Sequence, residues 1–477
     1  MEINKINDVL WEIPKTGKML VPVRIHASKQ MLEQIQNDRT FWQATNCATL
    51  KGVLKNIVVL PDAHEGYGAP IGGVGAFDFD TGIISPGFCG YDISCGVRMI
   101  RTNLNEKEMK PKVKSLVESF FRNVPSGLGS KGRIRLNMNQ LNQVLETGAE
   151  WAVKNGYGWK MDLERIEDRG RMKQADASHV SDKAKQRGIP QLGSLGSGNH
   201  YLEVQRVDKI FLPEIAKTMG IEKEGQITAM IHCGSRGLGH QVATDYIRVM
   251  EGAMRKYGIN IPDRELACAP AQSREGQEYF KASSCAVNYA LANRQMILHW
   301  VRQSFENIFG KTAEELGLEL IYDVSHNTIK QEEHEIDGNK KKVWIHRKGS
   351  TRGFPPGHAA LPDIYKNIGQ PVIIGGSMGT YSYLLVGTET GKDTFFSTAH
   401  GAGRVMSRHA ALRRMRGEEV KRDMEKRGIA VRSAGWKTLA EEADFAYKDV
   451  TEVVETCEKA GISKIVCRLK PLGVVKG

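Results

Sequence analysis

The sequence predicts a mixed α/β (α+β) protein: one large body over residues 1–477, with central β-sheets flanked by helices and a deep polar site. Three observations predict it. Short apolar runs of strand length alternate with long stretches of helical period. Each apolar run empties into a glycine-rich segment bearing His, Cys, Asp or Asn. No repeat, low-complexity tract or interdomain linker interrupts the motifs, which extend from Pro61 to the last residues. Length alone would allow roughly three average domains, so the continuity of the motifs decides for one.

Taken in order, residues 1–60 open with a strand-like run, Leu20–Ile25, and a helical stretch at 28–52. Ile57–Leu60 reads as a buried strand ended by Pro61. Glycine is dense from Pro61 to Arg98 (66, 68, 72, 73, 75, 82, 87, 90 and 96), as suits backbone lying close to a ligand. Residues 105–122 and 137–155 have helical period. The charged stretch 160–190 is either a surface insertion or a strand-binding face. Ile227–Ile231 is a strand that delivers His232, and helices fill 240–257 and 280–309. Leu318–Val324 and Pro371–Ile374 are further strands, and Asp337-Gly338 marks a hairpin turn. A basic helix at 404–428, another helix at 438–460 and a strand at 464–470 close the chain.

Hydrophobic residues make up 40% and charged residues 26% of the chain, an ordinary soluble composition. No apolar run approaches the ~20 residues of a membrane helix, and the N-terminus is not a signal peptide. A cytoplasmic protein is expected, with no membrane partner. Eight scattered cysteines without a CxxC pair read as reduced thiols. The net charge of +12 and pI near 9.2 admit a polyanionic partner, nucleic acid above all.

The chemistry gathers in five residues. Asp92 and Cys95 share the turn Gly90–Gly96, His200 ends Gly196–His200, His232 opens His232–Gly237, and His326 follows Leu318–Val324. One carboxylate, one thiolate and three imidazoles suit one or two divalent transition ions. Thiolate and imidazole favour zinc, while Asp92 leaves Mn²⁺, Fe²⁺ and Co²⁺ open. A DxxC turn alone is usually a turn plus a buried thiol; the three histidines at segment ends reverse that weighting. Gly193–Gly198, Gly375–Gly379 and His400–Gly403 can aim backbone N–H groups at phosphates, with Arg236, Arg352, Arg404 and Arg408 beside such turns. His64 is either a substrate contact or structural. No Walker A sequence, dinucleotide fingerprint or Lys-x-Asp-Gly is present, so a nucleotide would be bound another way. An imidazole such as His400 is chemically suited to a covalent phosphoramidate.

These residues resemble the RtcB-type RNA-splicing ligases, which are GTP- and metal-dependent. The matching segments are Gly90–Arg98, Gln191–Glu203, Ile231–His240, Tyr322–Asn327, Gly376–Thr380, His400–Arg408 and Pro471–Gly477. The resemblance implies an RtcB-like body and two Mn²⁺ ions, one on Asp92, Cys95 and His200 and one on Cys95, His232 and His326. It implies that His400 attacks the α-phosphate of GTP. It also implies guanylate contacts at Asn199, His200, Tyr201, Leu202, Glu203, His326, Asn327, Gly375, Gly376, Ser377, Met378, Ser382, His400, Gly401, Ala402, Gly403 and Lys476. His64, Arg236, Arg352, Arg404 and Arg408 are the candidates for RNA phosphates. The implied reaction joins 3′-phosphate or 2′,3′-cyclic phosphate RNA ends to 5′-hydroxyl ends, in tRNA splicing or RNA repair, with an archease-type activator as a possible partner. One departure is Gly375, where the family usually has proline. Two alternatives remain: a metal-dependent phosphoesterase opening cyclic phosphates without nucleotide transfer, and an RNA-binding scaffold with structural metals.

Overall fold

The computed structural model describes residues 1–477. Two large sheets meet along a seam, and the strand ends at that seam carry the polar motifs. The first sheet has seven strands in the order Asn4–Lys5, Leu10–Ile13, Val23–His26, Val53–His64, Ile71–Asp78, Asn339–Lys348, Thr328–Ile336. Only the Val23–His26 and Val53–His64 pair is parallel. The second sheet runs Leu320–Ser325, Gly96–Asn105, Gln226–Cys233, Tyr201–Ile210, Ser463–Lys476, Ser382–Gly387, Pro371–Ile374, all neighbours antiparallel. Its two end strands lie against each other, which curls it into a nearly closed barrel. No helix is long and apolar enough to cross a membrane.

The second sheet's antiparallel register does the positioning. Gly96 lies opposite Cys233 and Ser325, and Tyr201 opposite both His232 and Lys476. Cys95 and His200 therefore stand just before their strands, His232 within the last turn of pleat of its own, and His326 just after its own, all at one edge. Of the three histidines expected at segment ends, His232 and His326 lie at C-terminal strand ends, whereas His200 precedes its strand. In an antiparallel sheet, starts and ends share an edge.

The helix Arg274–Phe309 lies beneath this sheet. The Ser273 side chain caps it and left-handed Gly310 ends it. It is buried almost all round, yet it carries Asn288, Asn293, Arg294, Gln295 and Arg302 inside the protein. Each is satisfied, as burial demands. Arg302 makes a two-armed contact with Asp162 at 2.7 Å on both arms. Arg294 donates to Asp323 at 2.8 Å, to the Ser94 carbonyl at 2.7 Å and to the Cys233 carbonyl at 2.9 Å. Asn293 accepts from the Gly193 N–H at 2.7 Å and donates to the Ser194 and Gly234 carbonyls. Adjacent helical residues thus fasten the loops of Cys95, His200 and His232 to one rigid element.

Several element boundaries differ from those the sequence predicts. The strand ended at Pro61 by sequence runs on to His64, because Pro61 falls in a register shift where no ladder N–H is needed. Lys448 fills the gap, its ammonium donating to the Pro61 and Ala63 carbonyls at 3.0 and 2.6 Å. The predicted 404–428 helix is two helices, Arg408–Arg414 and Gly417–Lys426. The predicted 438–460 helix is likewise split, into Trp436–Glu441 and Val450–Lys459, around the loop that places Tyr447 and Lys448. The last strand extends to Lys476, past Pro471 at another register shift. The charged stretch 160–190 is not merely surface: Asp162 and Glu167 are buried, paired with Arg302 and Lys330.

Replacing Arg294 with Met should strip Asp323 of one of its two guanidinium partners and leave two loop carbonyls unpaired. The expected cost is about 3–5 kcal/mol, read as a lowered urea midpoint of the metal-free protein.

Candidate metal centre and nucleotide cleft

Four imidazoles form a row along the seam. Ring centroids of His200 and His232 lie 5.7 Å apart, His232 and His326 5.6 Å, and His326 and His400 5.1 Å. At the His200 end, the ligand atoms of Asp92, Cys95 and His200 all lie within 4.8 Å of one another. His200 Nε2 is 2.8 Å from Asp92 Oδ2 and 3.5 Å from Cys95 Sγ. His232 Nε2 reaches the same sulfur from the other side, at 3.2 Å. His326 Nδ1 is held by Thr351 Oγ1 at 2.9 Å, while its Nε2 is buried with no partner. Close approach depends on two glycines. A Cβ at Gly234 would stand 2.3 Å from Asp92 Oδ1, and one at Gly196 2.0 Å from His200 Nδ1.

The donor set fits a cation. Burial drives His232 and His326 well below the usual imidazole value, so both rings are neutral and offer lone pairs. Burial also pushes the Cys95 thiol up to about 11, with Asp92 adding to it; a bound cation is what would ionise it. Burial pushes the Asp92 carboxyl up, but His200 outweighs that and holds it below the ordinary value.

At the other end of the row, His400 follows the short strand Ser397–Ala399, which pairs with Ser350–Arg352. Its Nδ1 lies 2.5 Å from Asp62 Oδ2, and the His400 N–H donates to the same oxygen at 2.9 Å. Asp62 is fully buried in the Pro61 register shift; burial raises its carboxyl, yet His400 and Lys448 hold it below the usual value. The arrangement puts the ring proton on Nδ1 and leaves Nε2 as a free lone pair. His400 opens into a cleft at the seam. His64, Asn199, Tyr201, His232, Gly375–Met378, Gly401–Arg404, Arg408 and Lys476 line it.

Comparison with known proteins bears on the whole of this arrangement. The family model "tRNA-splicing ligase RtcB" matches residues 43–477. The chain belongs to the RtcB family. Proteins named tRNA-splicing ligase RtcB from Thermococcus kodakarensis and Pyrobaculum aerophilum are 57% and 54% identical to it, over 100% of this chain and 99% of each relative. A Pyrococcus abyssi protein of the same name is 60% identical over 80% of this chain, which is 42% of that relative's length.

Within this RtcB-family chain, some expected site residues brace the cleft instead of lining it. Asn327 donates to the Asp92 carbonyl at 2.9 Å and accepts from the Gly349 N–H at 2.7 Å. Ser382 accepts the Gly376 N–H at 3.3 Å. Glu203 is buried behind the cleft, accepting from Gln205 Nε2 at 2.7 Å. Leu202 points to the opposite face of its strand, into the apolar core, so only its backbone is available. Arg352 is buried, with its guanidinium paired to Glu167 and Asp168, 3.3 and 3.1 Å away. Arg404 reaches the cleft with its guanidinium already spent on Glu442, Tyr447 and the Glu441 carbonyl.

Three residues went unweighed in the sequence. Asp62 lies two residues before His64, and only the fold shows that it serves His400. Glu442 is a buried carboxylate 3.3 Å from Arg404, 3.3 Å from Arg408 and 3.9 Å from Lys476, bonded also to Tyr447. Nothing in Glu441-Glu442-Ala443 marks it. Tyr447 walls the cleft from the loop inside the predicted helix. Gly375, the departure from the family pattern, leaves room for Tyr201: a Cβ there would stand 2.1 Å from the phenol oxygen.

Burial pushes the Glu203 carboxyl up to about 8, against about 4.3 for a free glutamate. Between those values the folded protein holds a proton that the unfolded chain has lost, so this group's contribution to stability falls as pH rises through the window. Glu203→Gln should therefore flatten the decline in melting temperature of the apoprotein from about pH 5 to about pH 8, measured by scanning calorimetry.

Proposed function

We propose that residues 1–477 act as one catalytic domain, a GTP-dependent RNA ligase. It would join 3′-phosphate or 2′,3′-cyclic phosphate RNA ends to 5′-hydroxyl ends, in tRNA splicing and RNA repair. The observation that carries this reading is the imidazole row, with a cation-ready thiol at one end and a carboxylate-oriented nucleophile at the other. The names of the close relatives support it.

GTP is the first substrate. Its guanylate fits the cleft with the α-phosphate against the His400–Gly403 and Gly375–Met378 turns, whose N–H groups beyond those already given to Asp62, Ser382 and Thr380 suit phosphate oxygens. Glu203, behind the cleft, and Lys476, within it, are the polar groups on the base side. His400 Nε2 attacks the α-phosphorus, an N–P bond forms, the α,β P–O bond breaks, and pyrophosphate leaves. Asp62 steadies the Nδ1 proton as positive charge grows on the ring. Where the RNA ends in a 2′,3′-cyclic phosphate, water first adds at its phosphorus and the 2′-oxygen leaves as a hydroxyl; the resulting 3′-phosphate then displaces the imidazole, giving an RNA end capped by GMP. The 5′-hydroxyl of the second strand attacks that end, forms the phosphodiester and expels GMP. Asp92, Cys95 and His200 would hold one Mn²⁺ and Cys95, His232 and His326 a second, together supplying charge neutralisation at phosphoryl oxygens and a lowered hydroxyl pKa. The net charge of +12 suits a polyanionic substrate, with salt-sensitive affinity.

Incubation with α-labelled GTP and Mn²⁺ should yield a covalent protein–GMP adduct, absent in His400→Ala; labelling that survives this change refutes the assignment. Asp62→Asn should slow adduct formation by about 10²-fold or more with little change in the GTP concentration giving half-maximal rate, as rapid-quench kinetics would show. Cys95→Ala removes the sulfur common to both ligand sets, so calorimetric titration with Mn²⁺ should lose both binding events, not one.

A further inference from the structure

A second basin opens at the His200 end of the imidazole row. Asp92 and His200 form part of its wall, Arg187, Arg236 and Arg408 give it positive charge, and Leu128 is its one apolar lining residue. The guanylate cleft lies at the other end of the row, and Asn199 and Arg408 border both. A strand lying in the basin would thus have its terminus at Asp92 and His200 and face the nucleotide beyond.

Beside those arginines stands a column of aromatic rings that neither the ligand set nor the cleft uses. Tyr67 packs edge-on against Tyr91, centroids 5.1 Å apart. Tyr91 stacks on His240 at 4.8 Å with an interplanar angle of 23°, an offset stack. Tyr91 directly precedes Asp92 in the chain. His240 projects from the first turns of the helix Arg236–Tyr257, is exposed, and lines the basin. The column is anchored from below, where the Lys348 ammonium donates to the Tyr67 and Gly87 carbonyls.

We propose that His240 and Tyr91 form a stacking shelf for the terminal nucleobase of the RNA, while Arg187 and Arg408 hold the adjoining phosphates. This rests on the RNA-ligase reading above and adds where the base goes. Phosphate contacts alone let a strand slide, whereas a stacked base fixes the last nucleotide against the reacting centre. Stacking also tolerates any base, because every base has a π face, as joining ends of unrelated sequence requires.

The test uses the full-length protein with Mn²⁺ and two short RNAs labelled at their far ends, one ending in a 3′-phosphate and one in a 5′-hydroxyl. Each is made with an intact or an abasic terminal nucleotide. Fluorescence anisotropy should show the abasic end binding wild type about ten-fold more weakly for at least one strand. His240→Ala should erase that ratio and His240→Phe should keep it. Equal binding of intact and abasic ends by wild type on both strands overturns the shelf. So does a ratio undiminished in both His240→Ala and Tyr91→Ala, or one lost in His240→Phe. Failure of wild type to join the two intact RNAs with GTP would sink the ligase reading instead; joining without base discrimination sinks the shelf alone.

Discussion

The structure depends on the ion pairing of Asp323 with Arg294 and Arg98, all three fully buried. Such a group is costly to bury and costly to break, so it is informative that the fold keeps it directly beneath the ligand loops. Arg294 reaches past Asp323 to the Ser94 and Cys233 carbonyls, each adjacent to a metal-ligand candidate. Asn293 ties down the Gly193–Ser194 loop from the next helical position. Residues far apart in sequence are held by hydrogen bonds to one helix, which limits how far the ligand atoms can drift from one another.

The two ends of the site draw on different sheets. The curled antiparallel sheet supplies Cys95, His200, His232 and Lys476 along one edge, because its register brings strand starts and strand ends together. The other sheet supplies Asp62 and His64 from a register shift. His326 sits on the connection between them, between the strands Leu320–Ser325 and Thr328–Ile336. A site built across a seam can bring the Cys95 thiol and its neighbouring imidazoles close to an oriented imidazole without either sheet carrying both. The second buried carboxylate, Glu442, has the same logic: it gathers Arg404, Arg408, Lys476 and Tyr447 from separate segments at the cleft wall.

The buried charges of the 160–190 segment show why composition misleads about position. Asp162 and Glu167 lie in a stretch that reads as solvated, yet each is matched by a cation more than a hundred residues away. Arg352, which reads as a cation beside a turn, is likewise paired with Glu167 and Asp168 inside the protein. The eight cysteines are all free and buried, in keeping with their reading as reduced thiols.

By itself the sequence determined the mixed α/β class, most strands and helices, and the gathering of carboxylate, thiol and imidazole side chains in glycine-flanked turns at Asp92, Cys95, His200, His232, His326 and His400. Apolar period and glycine-flanked polar residues are local signals, carried by neighbouring positions. Helix breaks at 415–416 and 442–449 and the continuation of a strand through Pro61 escaped it, since tertiary hydrogen bonds override local propensity there. Only the tertiary structure decided that Asp62 orients His400, that Glu442 gathers the cleft's cations, that Arg352 pairs with Glu167 and Asp168, and that His240 and Tyr91 stack beside the basin. Each of those facts is a pairing between segments far apart in the chain, and a pairing is fixed by packing and register, which no single stretch of residues encodes.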